Sequence, residues 1–190
     1  MNISFCVYSV PVLLAVTIGL VWIGLVYNRF VGLRQHIRES WAGIDVELKR
    51  RHELVPNLVA TVGGYARHEH DLLERVVAAR SRAIGAADRL DRKSAEEGEL
   101  GVCLGRLLSL TEAYPDLKAD SHFLALQEEL VNTEDRLAAA RRFYNGNVRS
   151  FNTLQHSFPT NIVAGAFGFK SCDFFELVSS IERANPPVDP

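Results

Sequence analysis

No charged side chain occurs in the first 28 residues, and all 21 Lys and Arg and all 23 Asp and Glu follow from Arg29 onward. The three cysteines, Cys6, Cys103 and Cys172, are too few and too scattered for a disulfide framework. Seven prolines and 13 glycines in 190 residues exclude a low-complexity chain. A formal net charge of -2 excludes a generally basic nucleic-acid binder, so no nucleic-acid partner is expected. Period-two alternation of apolar and polar residues is also missing, which argues against a sheet. These absences leave a folded all-α domain joined to an apolar segment.

That segment, ISFCVYSVPVLLAVTIGLVWIGLVY, runs from Ile3 to Tyr27. About 20 apolar residues suffice to cross the hydrocarbon core as a helix, so the run is long enough to span with tilt. Pro11 lies in its first third, and Trp22 and Tyr27 lie near its far end, where amphipathic rings favour the membrane interface. A cleaved signal peptide would want a basic n-region and a short run ending in small residues, which this segment does not offer. Arg29, Arg34 and Arg38 follow the span and nothing basic but the amino terminus precedes it. Positive charge resists translocation, so the expected topology is single-pass, with the N-terminus outside and the soluble domain cytoplasmic.

Beyond the span, Phe30, Leu33, Ile37, Trp41, Ile44, Leu48, Val55, Val59 and Val62 recur at helical steps and predict a stem helix continuous with it. Pro56 lacks the amide that a helix interior needs, so a kink or restart is predicted near Val55. A second helix is predicted over Asp71–Lys93, a polar surface connection over 91–99, and a third short helix from Leu100 that Tyr114-Pro115 stops. The last long helix carries Phe123, Leu126, Leu130, Leu137, Ala140, Tyr144, Val148 and Phe151, with Asp120 or Ser121 as its cap. Four amphipathic helices in series with short links favour an all-α, up-down-up-down four-helix bundle. Its last helix must return toward the membrane, which places Phe158, Phe167 and Phe169 near the interface.

The segments RRHELVPNLVATVGGYARHE (50–69), EAYPDLKA (112–119), FLALQEELVNTEDRLAAARRFYN (123–145) and FPTNIVAGAFGF (158–169) resemble the LemA family of bacterial proteins over about Tyr27 to Glu176. The resemblance implies an N-terminal single-pass anchor and an elongated antiparallel helical bundle, and it implies no catalytic residues. The expected organisation is an anchor (1–28), a LemA-like bundle (29–157), an apolar glycine-rich membrane-proximal segment (158–176) and a flexible tail (177–190).

Residues able to carry chemistry are few. His52-Glu53 and the run His68-Glu69-His70-Asp71 are the only clusters with metal-ligand character, but His68 and His70, two apart, diverge on a helix. Neither a metal nor a cofactor is expected, and no catalytic set is evident. Arg50-Arg51 and Arg141-Arg142 offer planar forks to phosphates or headgroups, against which stands internal ion pairing with Glu47, Glu53, Glu134 and Asp135. Pro56-Asn57 and Tyr114-Pro115 shape the surface or simply punctuate helices. The candidate interaction surface is therefore Arg50, Arg51, Pro56, Asn57, Tyr114 and Pro115. The membrane-proximal set is Trp22, Tyr27, Phe158, Phe167 and Phe169. The expected function is a non-catalytic scaffold whose partners are the lipid bilayer and a membrane or cytoplasmic protein or a second copy of itself. A sensor or signalling bundle is the first alternative, and a metal-dependent enzyme the last.

Overall fold

Apolar residues at steps of three and four, with no alternating runs, give helices throughout the computed structural model, which describes residues 3–86 and 90–176, with side chains from Pro11 onward. In chain order the elements are α1 (Ile3–Tyr65), α2 (His70–Gly85), α3 (Leu90–Leu110), a 3-10 turn (Thr111–Ala113), α4 (Pro115–Lys118), α5 (Ser121–His156) and α6 (Thr160–Phe167). No strand occurs among the described residues. The tail expected over 177–190 lies outside them.

The described chain forms two compact units. The first joins α1 up to Glu39 with Asn145–Cys172, and the second joins the described residues of Ser40–Tyr144 with residues 173–176.

In the first unit, the early turns of α1 show their apolar side chains to the outside: Leu13 is 70% exposed, and Leu20 and Leu25 are each 65% exposed. Among the described residues this is the one helix long and apolar enough to cross a membrane. Past it, Phe30 is fully buried and stacks on Phe169 with ring centroids 4.6 Å apart, while Phe151 meets Phe30 edge-on at 5.5 Å. Such contacts add about 0.5–1.5 kcal/mol each beyond area burial. Gly168 makes this core possible. Its φ of 70° closes α6 in the left-handed region, and the Phe169 N–H donates back to the Ala164 carbonyl at 2.9 Å, which turns the Phe169 ring inward. Asn152 then fastens the following segment to α5, donating to the Cys172 carbonyl and accepting from the Cys172 N–H, both at 2.9 Å.

The second unit has a core drawn from four helices: Val55, Leu58 and Val62 of α1, Val76 and Ala79 of α2, Leu100, Leu104 and Leu107 of α3, and Phe123, Leu126 and Leu130 of α5, closed by Leu117 of α4. Each fully buried aliphatic or aromatic side chain here stabilises the fold by about 1.5–3 kcal/mol. Two of the three alanines of α2, Ala79 and Ala83, are buried and let that helix approach closely.

Three sequence expectations are corrected. The helix expected over Asp71–Lys93 ends at Gly85, and α3 begins at Leu90 rather than Leu100. The stretch 91–99, expected to be a surface connection, is helical and buries Ser94, Glu97 and Gly98. Polarity alone suggested solvent, but Lys93, Glu96 and Glu97 each find a charged partner across a helix interface: Asp45, Arg82 and Arg51. Finally, α1 does not restart near Val55; it continues through Pro56 to Tyr65.

Asp120 caps α5 as expected. Its Oδ1 accepts from the Phe123 N–H at 2.8 Å, and its Oδ2 accepts from the Tyr65 hydroxyl at 2.8 Å. The Phe123 amide first, then the Tyr65 hydroxyl, hold the Asp120 carboxyl below its ordinary range, while the Asp120 bond and charge push the Tyr65 phenol upward. The carboxylate's stabilisation is therefore complete above the ordinary carboxylate pKa and lost as pH falls through the lowered one. The phenol's is present below its ordinary pKa and lost as pH rises through the raised one. Urea midpoints of the native chain and Asp120→Asn are expected to differ near neutral pH and to converge as acid protonates Asp120. A gap unchanged in acid would refute the cap's electrostatic role.

Candidate functional site

An arginine in the middle of a helix normally reaches solvent, yet Arg51 is 1% exposed and is the largest fully buried side chain. Its Nη1 donates to Oε2 of Glu97, itself 0% exposed, at 3.3 Å and to the Glu97 carbonyl at 3.4 Å. Its Nε lies 2.8 Å from Oε1 of Glu134 on α5 as an ion pair. Room for the fork comes from Gly101 on α3, where an added Cβ would stand 2.9 Å from Arg51 Nη2. The next residue, His52, shares a hydrogen bond between its Nε2 and Glu97 Oε1 at 2.8 Å. Both oxygens of a buried carboxylate are thus held by adjacent residues of α1. Arg50 completes the row with an ion pair to Glu129 of α5.

Pro56 explains a further contact. Without its N–H, the carbonyl of His52 one turn back loses its helical donor. The Arg80 side chain of α2 supplies the replacement: its Nε donates to the His52 carbonyl at 2.7 Å. The carbonyl that Pro56 leaves without its helical donor is thus met from the neighbouring helix. Beside it runs a groove lined by Leu48, His52, Arg80, Ala83, Ile84 and Lys93. Lys93 pairs with Asp45 at 2.5 Å and lies 5.0 Å from the centre of the Trp41 ring.

Chemically, this is a clasp between helices. Arg51, Glu97, His52 and Glu134 hold one another and tie α1 to α3 and α5. Arg141 lies near the same charges: burial lowers its guanidinium pKa, the Glu134 carboxylate opposes that shift, and the Arg51 and Arg142 charges add to it. An arginine remains protonated through such shifts. Burial, and then the Glu99 charge, push the Cys103 thiol upward, so it is a poor nucleophile at neutral pH. Among the described residues no three His, Cys, Asp or Glu side chains converge in a metal-binding geometry. His70 pairs with Glu74 at 3.4 Å and His68 is exposed.

The candidate interaction residues separate. Pro56, Asn57 and Pro115 are exposed, Tyr114 is half-buried and packs against the core, and Arg50 is half-buried in its pair with Glu129. Arg51 is corrected from surface residue to core: its charge is matched by carboxylates of α3 and α5. In the membrane-proximal set, Trp22, Tyr27, Phe158 and Phe167 are exposed, whereas Phe169 is buried in its stack on Phe30 beneath the Arg34 guanidinium. Glu97 and Arg80 were missed by sequence reasoning. The signal for Arg80 was Pro56 itself, because a proline inside an apolar helical stripe leaves a carbonyl that some donor must meet.

The sequence model of the LemA family matches residues 40–189. The chain belongs to the LemA family. Among its relatives is magnetosome protein MamQ 2 of Paramagnetospirillum magneticum, 27% identical over 79% of this chain and 64% of the relative. Magnetosome protein MamQ of Magnetospirillum gryphiswaldense is 26% identical over 78% and 64%. Protein LemA of Metamycoplasma hominis is 29% identical over 86% and 77%. The chain thus spans less than two thirds of the length of the magnetosome relatives. The family match includes the whole Arg50–Pro56 segment, Arg80 and Glu97.

Proposed function

We propose that this LemA-family chain is a membrane-anchored, non-catalytic scaffold whose helical bundle binds another protein or organises the membrane that holds it. One observation carries the reading: the charges of Arg51, Glu97, His52 and Glu134 are spent on one another and tie α1 to α3 and α5. A strongly fixed bundle on an apolar stem suits a platform. An elongated antiparallel four-helix arrangement of α1, α2, α3 and α5 is the architecture we assign to it, with α1 as the single span, the N-terminus outside and the bundle in the cytoplasm of a bacterial cell.

The partner surface we assign lies on α1 and α2. Exposed Pro56 and Asn57 lie along α1 from Val59, which with Leu73, Val77 and Ala78 lines an apolar groove edged by His70 and Glu74. A groove of that kind takes the apolar face of a helix. The magnetosome relatives favour a membrane-organising role by analogy alone.

Photo-crosslinking of the full-length, membrane-inserted protein in cells, with probes at Asn57, Val77 and Lys118, tests this. Capture of one foreign protein at Asn57 and Val77 but not at Lys118 supports an adaptor, and capture of the protein itself supports a self-assembling organiser. No protein captured at either groove position would overturn the protein-binding reading and the partner surface assigned to it.

A further inference from the structure

The end of the first unit that carries α6 is apolar and partly exposed. It contains no Asp, Glu, Lys or Arg between Ser150 and Phe169, a second charge-free run besides that of the N-terminal helix. Three of its large apolar side chains face outward: Phe158 is 81% exposed, Ile162 63% and Phe167 54%. A run of this composition inside a folded unit normally turns such side chains inward; Val163, Ala164 and Phe169 do so, and these three do not.

The register of α5 against α1 says what faces them. Asn147 donates to the His36 carbonyl, and four residues later Phe151 meets Phe30, so the two helices run in opposite directions within this unit. Continuing at the same rise of about 1.5 Å per residue brings the end of α5, His156, level with Leu25 or Val26. The Ser157–Pro159 turn with Phe158 at its tip then lies beside the last turns of the charge-free run. Tyr27 confirms the level independently, since its ring is 5.0 Å from Phe167 and 5.7 Å from Phe169.

Charge makes the same division. The first unit carries Arg29, Arg34, Arg38, Arg149 and Lys170 against a single carboxylate, Glu39, in a chain whose net charge is -2. Arg29, Arg149 and Lys170 are exposed and flank the two charge-free runs. Cations bordering an apolar surface match the headgroup layer of a bilayer containing anionic phospholipid.

We infer that Phe158, Ile162 and Phe167 form a second membrane contact, inserted at the interface beside the span, with Arg29, Arg149 and Lys170 meeting anionic headgroups. This rests on the anchored reading above and deepens it: the chain holds the bilayer at two places, so its stem cannot pivot freely about a single helix.

The test uses the full-length chain with Cys6, Cys103 and Cys172 replaced by alanine, carrying an environment-sensitive dye on one new cysteine. The positions are Phe158→Cys, Ile162→Cys, Leu20→Cys and Asn57→Cys. Vesicles contain roughly three parts phosphatidylcholine to one part phosphatidylglycerol, with doxyl quenchers on the acyl chains. A shallow quencher is expected to cut the signal at 158 and 162 by about half or more, a deep one to quench at 20, and neither to quench at 57. With Arg29→Gln, Arg149→Gln and Lys170→Gln combined, quenching at 158 is expected to lose its dependence on phosphatidylglycerol. Quenching at 20 but not at 158 or 162 overturns the second contact and leaves the anchor standing. Loss at all positions overturns the anchor and the inference with it. Dyes at 158 and 162 shielded from aqueous iodide yet untouched by doxyl lipid would mean protein covers them, which also overturns the inference.

Discussion

Arg51→Ala is expected to destabilise the second unit by about 3–5 kcal/mol, the usual cost of removing one member of a buried ion pair. The loss has three parts. Glu97, 0% exposed, is left with only His52 beside it; Glu134 loses its pair with Arg51; and the space that Gly101 leaves for the guanidinium becomes a void. At a urea dependence of about 2 kcal/mol per molar, the midpoint should fall by about 1.5–2.5 M, read by circular dichroism of the full chain in mild detergent. Replacing both charges tests the cause. Arg51→Met combined with Glu97→Leu removes the buried pair instead of orphaning half of it, and is expected to recover most of the loss. A double variant as unstable as Arg51→Ala would show that the pair stabilises the bundle beyond its mutual compensation. Little effect from Arg51→Ala would show that water reaches Glu97.

Arg80→Met is expected to cost about 1–3 kcal/mol, the penalty for leaving a part-buried acceptor without a donor. Here the origin is distinctive, because the missing bond is one that Pro56 created. Pro56→Ala returns an N–H to the turn, so in the Arg80→Met background it should restore the His52 carbonyl's partner and relieve the proline clash together. The rescue by Pro56→Ala is therefore expected to be larger in that background than in the native chain, by about 1 kcal/mol or more in a double-mutant cycle. Additive effects would mean Arg80 contributes by packing against α1 and not by replacing the amide. Hydrogen exchange gives a second readout: amides of α1 around Pro56 should open more readily in Arg80→Met alone.

Much of the architecture was legible because helical periodicity is a local property. The stripe from Phe30 to Val62 buries Phe30, Ile37, Ile44, Leu48, Val55 and Val62 as its spacing requires, and the stripe of α5 buries Phe123, Leu130, Leu137, Val148 and Phe151. The cap at Asp120 was equally local, a short side chain before an apolar helical run. Two of the errors share one cause. Residues 91–99 looked solvent-facing because polarity was read without partners, and Arg51 looked available to a ligand for the same reason. Their partners sit 46 and 83 positions away for Glu97 and Glu134 on Arg51, distances over which sequence spacing carries no signal.

The sequence by itself determined that this chain is helical, that its first 28 residues are chemically suited to a bilayer, and that its segments resemble the LemA family. Tertiary structure alone decided that Glu97 lies in the interior, that α1 survives Pro56, and that Phe169 turns inward while Phe158 turns out. Hydrophobic periodicity acts between neighbours on one helix, so it survives in the linear order. A buried charge is tolerable only when another helix brings its counter-charge, and a helix-interior proline only when another helix brings a donor. Those conditions are met, or not, by the packing of the whole unit.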